Sequence, residues 1–160
     1  MKRLLICLAL LTLSVNAAIG ATFSGQVVRV SDGDTIVVLI DHRQVKVRLH
    51  GIDTPERAQP WGRQAAKALA HLVAGRDVDV EQTDTDRYGR VVGKVYVDNL
   101  DVNRQLVADG HAWVYRKYSK DPGLLSAEAA ARKDKRGLWT LPEAERVPPW
   151  EWRKAQRDKK

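Results

Sequence analysis

Cysteine is almost absent from this chain of 160 residues, in which Cys7 is the only one. Ile6 precedes it where a lipidation site has a small residue, so Cys7 does not fit a lipid attachment site. Without disulfides, a small domain must be held by its apolar core or by a ligand. A zinc site is also excluded, because there is no cysteine pair and no paired ligand spacing among the four histidines, His42, His50, His71 and His111.

Acidic residues are missing from the first 21 positions, MKRLLICLALLTLSVNAAIGA. Lys2 and Arg3 precede an apolar run from Leu4 to Leu13, and small residues follow. This layout predicts a signal peptide over residues 1–21, because the run is too short to span a bilayer as a helix. An uncleaved N-terminal anchor is the alternative. Cleavage fits the small-residue rule after Ala17, Ala18 or Ala21. We therefore expect a secreted or periplasmic protein that has left the membrane.

Internal repeats and long low-complexity stretches are also lacking, and the length suits one domain. Removing Lys2 and Arg3 reduces the formal net charge from +7 to +5. That excess suits a polyanion such as nucleic acid, or an anionic surface. We predict a monomer with one domain over residues 22–140. A tail over 141–160 is expected to pack on it in extended form, with Trp150 and Trp152 docked on the domain.

The first part of the domain has the alternating and β-branched sequence patterns that are typical of strands. TFSGQVVRV (22–30) ends in alternating residues, and TIVVLI (35–40) is a β-branched run typical of a strand buried on both faces. QVKVRLH (44–50) alternates cleanly. Its apolar face is Val45, Val47 and Leu49, and its polar face is Lys46, Arg48 and His50. With a turn at DGD (32–34), these patterns predict a meander of three strands.

The pattern then changes to helix and back to strand. Residues 61–74 are alanine-rich and predict a helix, and Gly75 ends it. Two strands (77–82 and 90–97), a short helix (102–109) with Asp101 as its N-cap, a last strand (111–115) and a third helix from Asp121-Pro122 are predicted to follow. Five strands with a helix between the third and fourth predict an α+β fold, a five-stranded OB-fold barrel.

Three acidic residues occur at neighbouring ends of the predicted strands. Asp34 begins the second strand, and Asp53 and Glu56 follow the third. In a meander these ends are adjacent, and two carboxylates brought together repel unless a cation lies between them. With the Thr54 carbonyl they offer an all-oxygen site, which suits Ca²⁺ or another hard cation. Asp32, in contrast, fits simple turn chemistry.

Two arginines complete this set of candidate residues. Arg48 lies on the polar face of the third strand, and Arg90 opens the fifth. Each alone is compatible with a solvated surface charge. A guanidinium group, however, binds phosphate oxygens in bidentate fashion, and two of them with a metal would neutralise charge on one phosphodiester. Glu56 would then orient or deprotonate a water.

Three sequence blocks resemble the signature blocks of one family. VVRVSDGDTIVV (27–38), VRLHGIDTPE (47–56) and DRYGRVVGKVYV (86–97) are similar, in order and spacing, to those of the staphylococcal nuclease (thermonuclease) family. The likeness spans roughly residues 23–140. RGLWTLPEAERVPPWEWRK (136–154) resembles the tail of many bacterial members.

The resemblance implies a Ca²⁺-dependent endonuclease on an OB-fold. It would cleave DNA and RNA with little sequence preference and break the 5′ P–O bond, leaving 3′-phosphate ends. By position, Asp34, Asp53 and the Thr54 carbonyl match the calcium ligands. Arg48, Glu56 and Arg90 match the catalytic residues.

The nucleotide-binding residues depart from the family pattern. The family's best-known member has a lysine before Tyr-Gly-Arg, where this chain has Arg87 followed by Tyr88. That member also has two tyrosines, two residues apart, and here WVYRKYS offers Tyr115 and Tyr118. The resemblance implies nucleic-acid contacts for these four residues. A non-catalytic nucleic-acid-binding OB-fold module is the alternative function, and an exported domain that binds cations or an anionic surface is a third.

Overall fold

The computed structural model describes residues 21–159. The predicted signal peptide, apart from its last residue, lies outside the described residues. In chain order the elements are β1 (Thr22–Val30), β2 (Thr35–Ile40), β3 (Arg43–Leu49), β4 (Ile52–Asp53), α1 (Gly62–Val73), β5 (Asp77–Thr85), β6 (Val91–Val97), β7 (Leu100–Asp101), α2 (Val102–Ala108), β8 (Trp113–Val114), α3 (Pro122–Lys133) and α4 (Pro149–Asp158). None of the helices in this range combines the length and the apolar character needed to cross a membrane.

Five strands form a closed barrel, which confirms the predicted α+β barrel fold. The antiparallel order is β3-β2-β1-β5-β6, and β3 pairs in parallel with β6 to close the barrel. The short β7 continues the sheet beyond β6, while β4 pairs with β8 in a separate two-stranded sheet. The meander of the first three strands and the position of α1 between the third and fourth barrel strands agree with the sequence prediction.

Strand periodicity determines which side chains enter the core. In β3, Val47 and Leu49 are buried, whereas Lys46 is exposed and Arg48 lies between the two classes. In β2 the first four residues are all buried, as expected of a continuous β-branched run. The main core lies inside the barrel and under α1 and α2, with Ile36, Leu69 and Leu106 fully buried.

Local capping explains two of the helix starts. The Asp101 side chain accepts a hydrogen bond from the Arg104 backbone N–H, so it caps α2 as predicted. Asp121 accepts from the N–H groups of Gly123 and Leu124, and Pro122 occupies the first turn of α3. The predicted last strand is shorter than expected, because only Trp113 and Val114 pair with β4.

The prediction that the C-terminal tail is extended is wrong. A 3₁₀ turn, Gly137–Thr140, precedes the tail, which itself contains a second 3₁₀ turn, Glu143–Glu145, and then the ten-residue helix α4. Pro149 lies at the start of α4, where the missing N–H costs nothing and the fixed φ favours helix. Trp150 packs against a second apolar cluster formed by Trp113, Ala131, Leu138 and Trp139.

Candidate active site

The two acids predicted to converge do so at one end of the barrel. The β2–β3 register places Thr35 opposite Arg48, so Asp34 precedes β2 where β3 ends. Asp53 comes from β4, just after the turn that follows β3. Arg48 bridges them: its Nη1 lies 2.8 Å from Asp34 Oδ2 and its Nη2 lies 2.9 Å from Asp53 Oδ1. Both carboxylates are buried, with Asp34 6% and Asp53 1% exposed.

Thr54 lies directly against Asp34. Its backbone N–H and its hydroxyl group both donate to Asp34 Oδ2, over 3.0 and 3.1 Å. Gly33 permits this contact, because a Cβ atom there would lie 2.6 Å from Thr54 Oγ1. The DGD turn is therefore packed tightly against the segment that follows β3, and this packing fixes the direction of the Asp34 side chain.

Two acids of this group, Asp32 and Asp53, have raised pKa values, and burial is the main cause. Burial and the neighbouring Asp34 charge raise the pKa of Asp32 to about 6. Burial also raises the pKa of Asp53, although the hydrogen bond from Arg153 acts in the opposite direction. Asp32 accepts a hydrogen bond from the Asp34 N–H over 3.1 Å, so the turn role expected for it holds, and its carboxyl group adds a further acid beside the pair.

The donor set fits a hard cation in its chemistry. Asp34 and Asp53 each place an oxygen within 3 Å of the same guanidinium group, so the two carboxylates approach one point. Carboxylate and carbonyl oxygens are the ligands that Ca²⁺ prefers. Within residues 21–159, no group of three or more His, Cys, Asp or Glu side chains stands in an arrangement that could hold a metal ion. A cation held here would therefore need further oxygens, which the Thr54 carbonyl and water could supply.

Glu56 lies beside these acids, and the residue that links it to them was missed by the sequence interpretation. Arg153, on α4, places Nη1 2.6 Å from Glu56 Oε1 and Nη2 2.7 Å from Asp53 Oδ2. A signal was present in the sequence: Pro149 as the first residue of a glycine-free segment indicates a helix start. The partner of Arg153 could not be read from that pattern, because about a hundred residues separate them.

The second predicted arginine lies in a different environment. Arg90 donates from Nε to Asp86 Oδ2 over 2.7 Å, and its guanidinium carbon lies 5.8 Å from the centre of the Tyr88 ring. It lines an open cavity of about 350 Å³ with Lys46, Tyr88 and Gly89. Lys46 and Arg48 are two residues apart on β3 and therefore project from the same face. Arg90 thus borders the face that carries Arg48.

The predicted nucleotide-contact residues form two groups. Arg87 donates to the Tyr88 hydroxyl over 2.6 Å, in the loop between β5 and β6. Tyr115 and Tyr118 meet edge to face, with ring centres 4.8 Å apart, and Tyr118 is 60% exposed. Tyr115 also stacks on Trp150, with centres 5.0 Å apart and an interplanar angle of 5°. One face of Tyr115 is therefore covered by α4.

The structure brings some of the predicted site residues into direct contact and leaves others apart. Linked by hydrogen bonds or ion pairs, directly or through Arg153, are Asp34, Arg48, Asp53, Thr54 and Glu56. Arg90 is held by Asp86 at the neighbouring loop, with Arg87 and Tyr88. The catalytic, metal-binding and nucleic-acid-binding roles of these residues stay predictions.

Comparison with known proteins identifies the family to which the chain belongs. The family model described as staphylococcal nuclease homologue matches residues 46–141. An uncharacterized endonuclease of Escherichia coli is 47% identical over 134 residues, covering 83% of this chain and 86% of that protein. Protein ParB of Escherichia coli is 42% identical over 95% of this chain and 91% of its own. The micrococcal nuclease of Shigella flexneri is 38% identical over 94% of this chain and 91% of its own. The chain therefore belongs to the staphylococcal nuclease family and is a hydrolase of the nuclease class.

Proposed function

We propose that the protein is a Ca²⁺-dependent endonuclease that hydrolyses DNA and RNA with little sequence preference and leaves 3′-phosphate ends. One observation carries the proposal. Two buried carboxylates, Asp34 and Asp53, meet at a single guanidinium group, with a third carboxylate, Glu56, next to them. Such a concentration of buried acid is costly unless a cation is bound there, and it is therefore a feature expected of a functional site.

The cation would be held by Asp34, Asp53 and the Thr54 carbonyl. When bound, Ca²⁺ would supply Lewis-acid stabilisation of the negative charge on the phosphodiester. Arg48 already lies between the two acids, with Nη1 also donating to the Ile52 carbonyl over 3.1 Å. In this position its planar guanidinium group can donate to the oxygens of a phosphate placed beside the acids.

Glu56 would accept the proton of the attacking water. In the reaction the water oxygen bonds to phosphorus while the bond from phosphorus to the 5′ oxygen breaks. The proton of the water passes to the Glu56 carboxylate, and the departing 5′ oxygen takes a proton from solvent. Arg48 and Arg90 would stabilise the charge that develops on the phosphoryl oxygens. The products are a 3′-phosphate and a 5′-hydroxyl.

Positive charge supports recognition of the nucleic-acid backbone. The formal net charge is +7, or +5 without Lys2 and Arg3, and Lys46, Arg87 and Arg90 lie near the open cavity or the loop beside it. Contacts with phosphate are independent of sequence and weaken as salt rises. We therefore expect binding of single-stranded and duplex substrates to fall steeply with ionic strength.

The test uses the protein lacking residues 1–21, incubated with plasmid DNA and with RNA, in Ca²⁺ or in EGTA. Cleavage in Ca²⁺ and none in EGTA is the expected result, and a phosphatase that releases label from 3′ ends only would identify the products. Intact substrate in Ca²⁺, together with a persistent gel shift, would favour the non-catalytic binding module instead. Intact substrate without any gel shift would contradict both.

Export is part of the proposal and rests on the layout of residues 1–21. Expression of the full chain in a Gram-negative host, followed by fractionation, tests it. We expect the protein in the periplasm or the medium, with an N-terminus just after Ala17, Ala18 or Ala21. Recovery of a full-length chain in the membrane fraction would instead support the uncleaved anchor.

A further inference from the structure

Helix α4 delivers a third arginine to the acids of the candidate site. Arg153 donates from Nη2 to Asp53 Oδ2 over 2.7 Å, and from Nη1 to Glu56 Oε1 over 2.6 Å and to Asp53 Oδ1 over 3.3 Å. The planar guanidinium group thus joins two carboxylates from different segments of the chain. Among residues 21–159, Arg153 is the one charged partner of the Glu56 side chain, which is otherwise 42% exposed.

The segment that carries Arg153 is held in place by its own packing. Trp150 stacks on Tyr115 and meets the edge of Trp113, with ring centres 6.0 Å apart in the second pair. These contacts involve β8 and the residue after it, and β8 pairs with the strand that holds Asp53. The position of Arg153 therefore follows from aromatic packing and does not depend on its ion pairs alone.

A second link joins the same two segments. The Gln59 side chain is buried; its Oε1 accepts from the Glu56 backbone N–H over 3.1 Å, and its Nε2 donates to the Val147 carbonyl. The loop that carries Glu56 is thus attached to the C-terminal segment through its backbone as well as through its side chain. Two independent contacts therefore place the C-terminal segment against the Glu56 loop.

Arg48 cannot replace Arg153 in this role. Its two terminal nitrogens are already directed to Asp34, Asp53 and the Ile52 carbonyl. Without Arg153 the Glu56 side chain would keep no charged partner among the described residues and would sample several rotamers. Asp53 would lose one of the two arginines that pair with it among the described residues, so the net negative charge of the site would increase.

We propose that Arg153 is a positioning residue of this active site, which holds Glu56 against Asp53 and opposes divalent-cation binding at Asp53. The inference rests on the proposed function of the site and extends it to the C-terminal helix. Two consequences follow, and they have opposite signs. Loss of the guanidinium group lets Glu56 move, which lowers kcat, and it removes a positive charge beside Asp53, which tightens cation binding.

The experiment compares Arg153→Met with the wild-type protein lacking residues 1–21. Methionine keeps much of the apolar stem and removes the charge. We measure Ca²⁺ affinity by calorimetry without substrate, and kcat and KM on a short single-stranded DNA with Ca²⁺ at saturation. We expect Ca²⁺ binding roughly three- to tenfold tighter, kcat about ten- to a hundredfold lower, and KM changed less than about threefold.

Two further variants serve as matched controls. Arg157→Met removes the same charge one turn further along α4, from an exposed position, and we expect wild-type values for all three constants. Arg153→Lys keeps the positive charge but cannot serve two carboxylates with one planar group. For this variant we expect Ca²⁺ affinity near that of the wild type and a kcat between those of the wild type and Arg153→Met.

The outcomes separate this inference from the proposed function. Wild-type protein that neither binds Ca²⁺ nor cleaves DNA would overturn both. Active wild-type protein together with an Arg153→Met variant of unchanged kcat and Ca²⁺ affinity would overturn the inference alone. Weaker Ca²⁺ binding in parallel with lower kcat would also overturn it, because it would indicate a general structural role. If Arg153→Met unfolds by circular dichroism, Arg153→Lys decides: a wild-type kcat in that variant overturns the inference.

Discussion

The sequence assigns Arg48 and Arg90 to one chemical role. Their environments differ in exposure, in the acids that pair with them and in the distance of those acids along the chain. Arg48 is enclosed, with a side chain 14% exposed and two buried carboxylates as partners. Arg90 is at the open loop between β5 and β6, 27% exposed, and pairs with Asp86, four residues before it. The first is fixed by contacts between distant segments, and the second by a local turn.

This difference indicates that the two ends of the site have different roles. The enclosed end concentrates negative charge and holds it in a fixed arrangement. The open loop offers positive charge near Lys46 and Tyr88 with room around it. We therefore expect substitutions at the enclosed end to alter chemistry and folding together, and substitutions at the loop to alter substrate contacts with little effect on folding.

The largest expected effect is at Glu56. Glu56→Ala removes the group assigned to water activation, so kcat should fall by about 10²- to 10⁴-fold while DNA binding is kept. Steady-state kinetics and fluorescence anisotropy with a labelled oligonucleotide measure the two quantities. Glu143→Ala, an exposed acid of the C-terminal segment, is the control and should behave as wild type. Full activity of Glu56→Ala would remove Glu56 from the mechanism.

The next largest effect is on stability and tests the comparison directly. Arg48→Met leaves Asp34 and Asp53 without their shared partner, and breaking a buried ion pair in this way costs about 3–5 kcal/mol of unfolding free energy. Arg90→Met breaks a partly exposed local pair and should cost about 0–1 kcal/mol. Urea unfolding in EGTA measures both. Equal losses for the two variants would contradict the distinction between an enclosed and an open arginine.

Added Ca²⁺ sharpens this prediction. A cation bound between Asp34 and Asp53 would replace the charge lost in Arg48→Met, so Ca²⁺ should stabilise this variant more than it stabilises wild type. Unfolding curves recorded with and without Ca²⁺ give the comparison. The same stabilisation of both proteins would place the bound cation away from these acids.

A smaller effect is expected from a conservative change at the open loop. Arg90→Lys keeps the positive charge but loses the planar pair of donors, and we expect turnover to fall by about tenfold with unchanged stability. Kinetics on the same oligonucleotide measure it. Arg43→Lys, on an exposed position of β3, is the matched control. Wild-type turnover in Arg90→Lys would show that charge alone is sufficient there.

The smallest effect concerns the histidines, which repeat the contrast between enclosed and open groups. His111 Nδ1 accepts a hydrogen bond from the Trp61 indole N–H over 3.0 Å, and burial lowers the pKa of His111 below its ordinary value of 6.5. The unfolded chain therefore binds more protons than the folded one between the lowered pKa of folded His111 and 6.5, so the unfolding free energy should decrease as the pH falls through that range.

Substitution separates the contribution of His111 from other titrations. His111→Gln keeps a hydrogen-bond acceptor for Trp61 and cannot be protonated, so the pH dependence of the unfolding free energy should become flatter. His71→Gln, on the exposed face of α1, should leave the pH dependence as in wild type. The unfolding free energies measured at pH 7 and pH 5 give the result. Equal slopes in all three proteins would contradict the role of His111.

Much of the barrel and of the enclosed acid pair could be predicted, because the signals are local. Alternation in β3 and the β-branched run of β2 define two strands, and the short turns between strands leave little freedom in their pairing. Once the meander is accepted, the start of β2 and the end of β3 must be adjacent. The convergence of Asp34 and Asp53 follows from that adjacency.

The C-terminal segment could not be predicted in the same way. The prolines at 142, 148 and 149 favoured an extended segment, yet Pro149 begins α4, because proline is compatible with both conformations. What selects the helix is the packing of Trp150 on Tyr115 and Trp113, which are distant in sequence. Composition indicated that Trp150 would pack against the domain, but not which residues it would contact.

By itself, the sequence determined the barrel strands, the capped helices and the residue types of the site, since these depend on periodicity, turns and side-chain chemistry within a few residues. Only the tertiary structure decided that Arg153 joins Glu56 and Asp53, and that Arg48 is enclosed while Arg90 is open. The physical reason is that an ion pair is selected by distance in space. About a hundred residues of chain lie between Arg153 and its partners, so no local sequence pattern indicates that they are close in space.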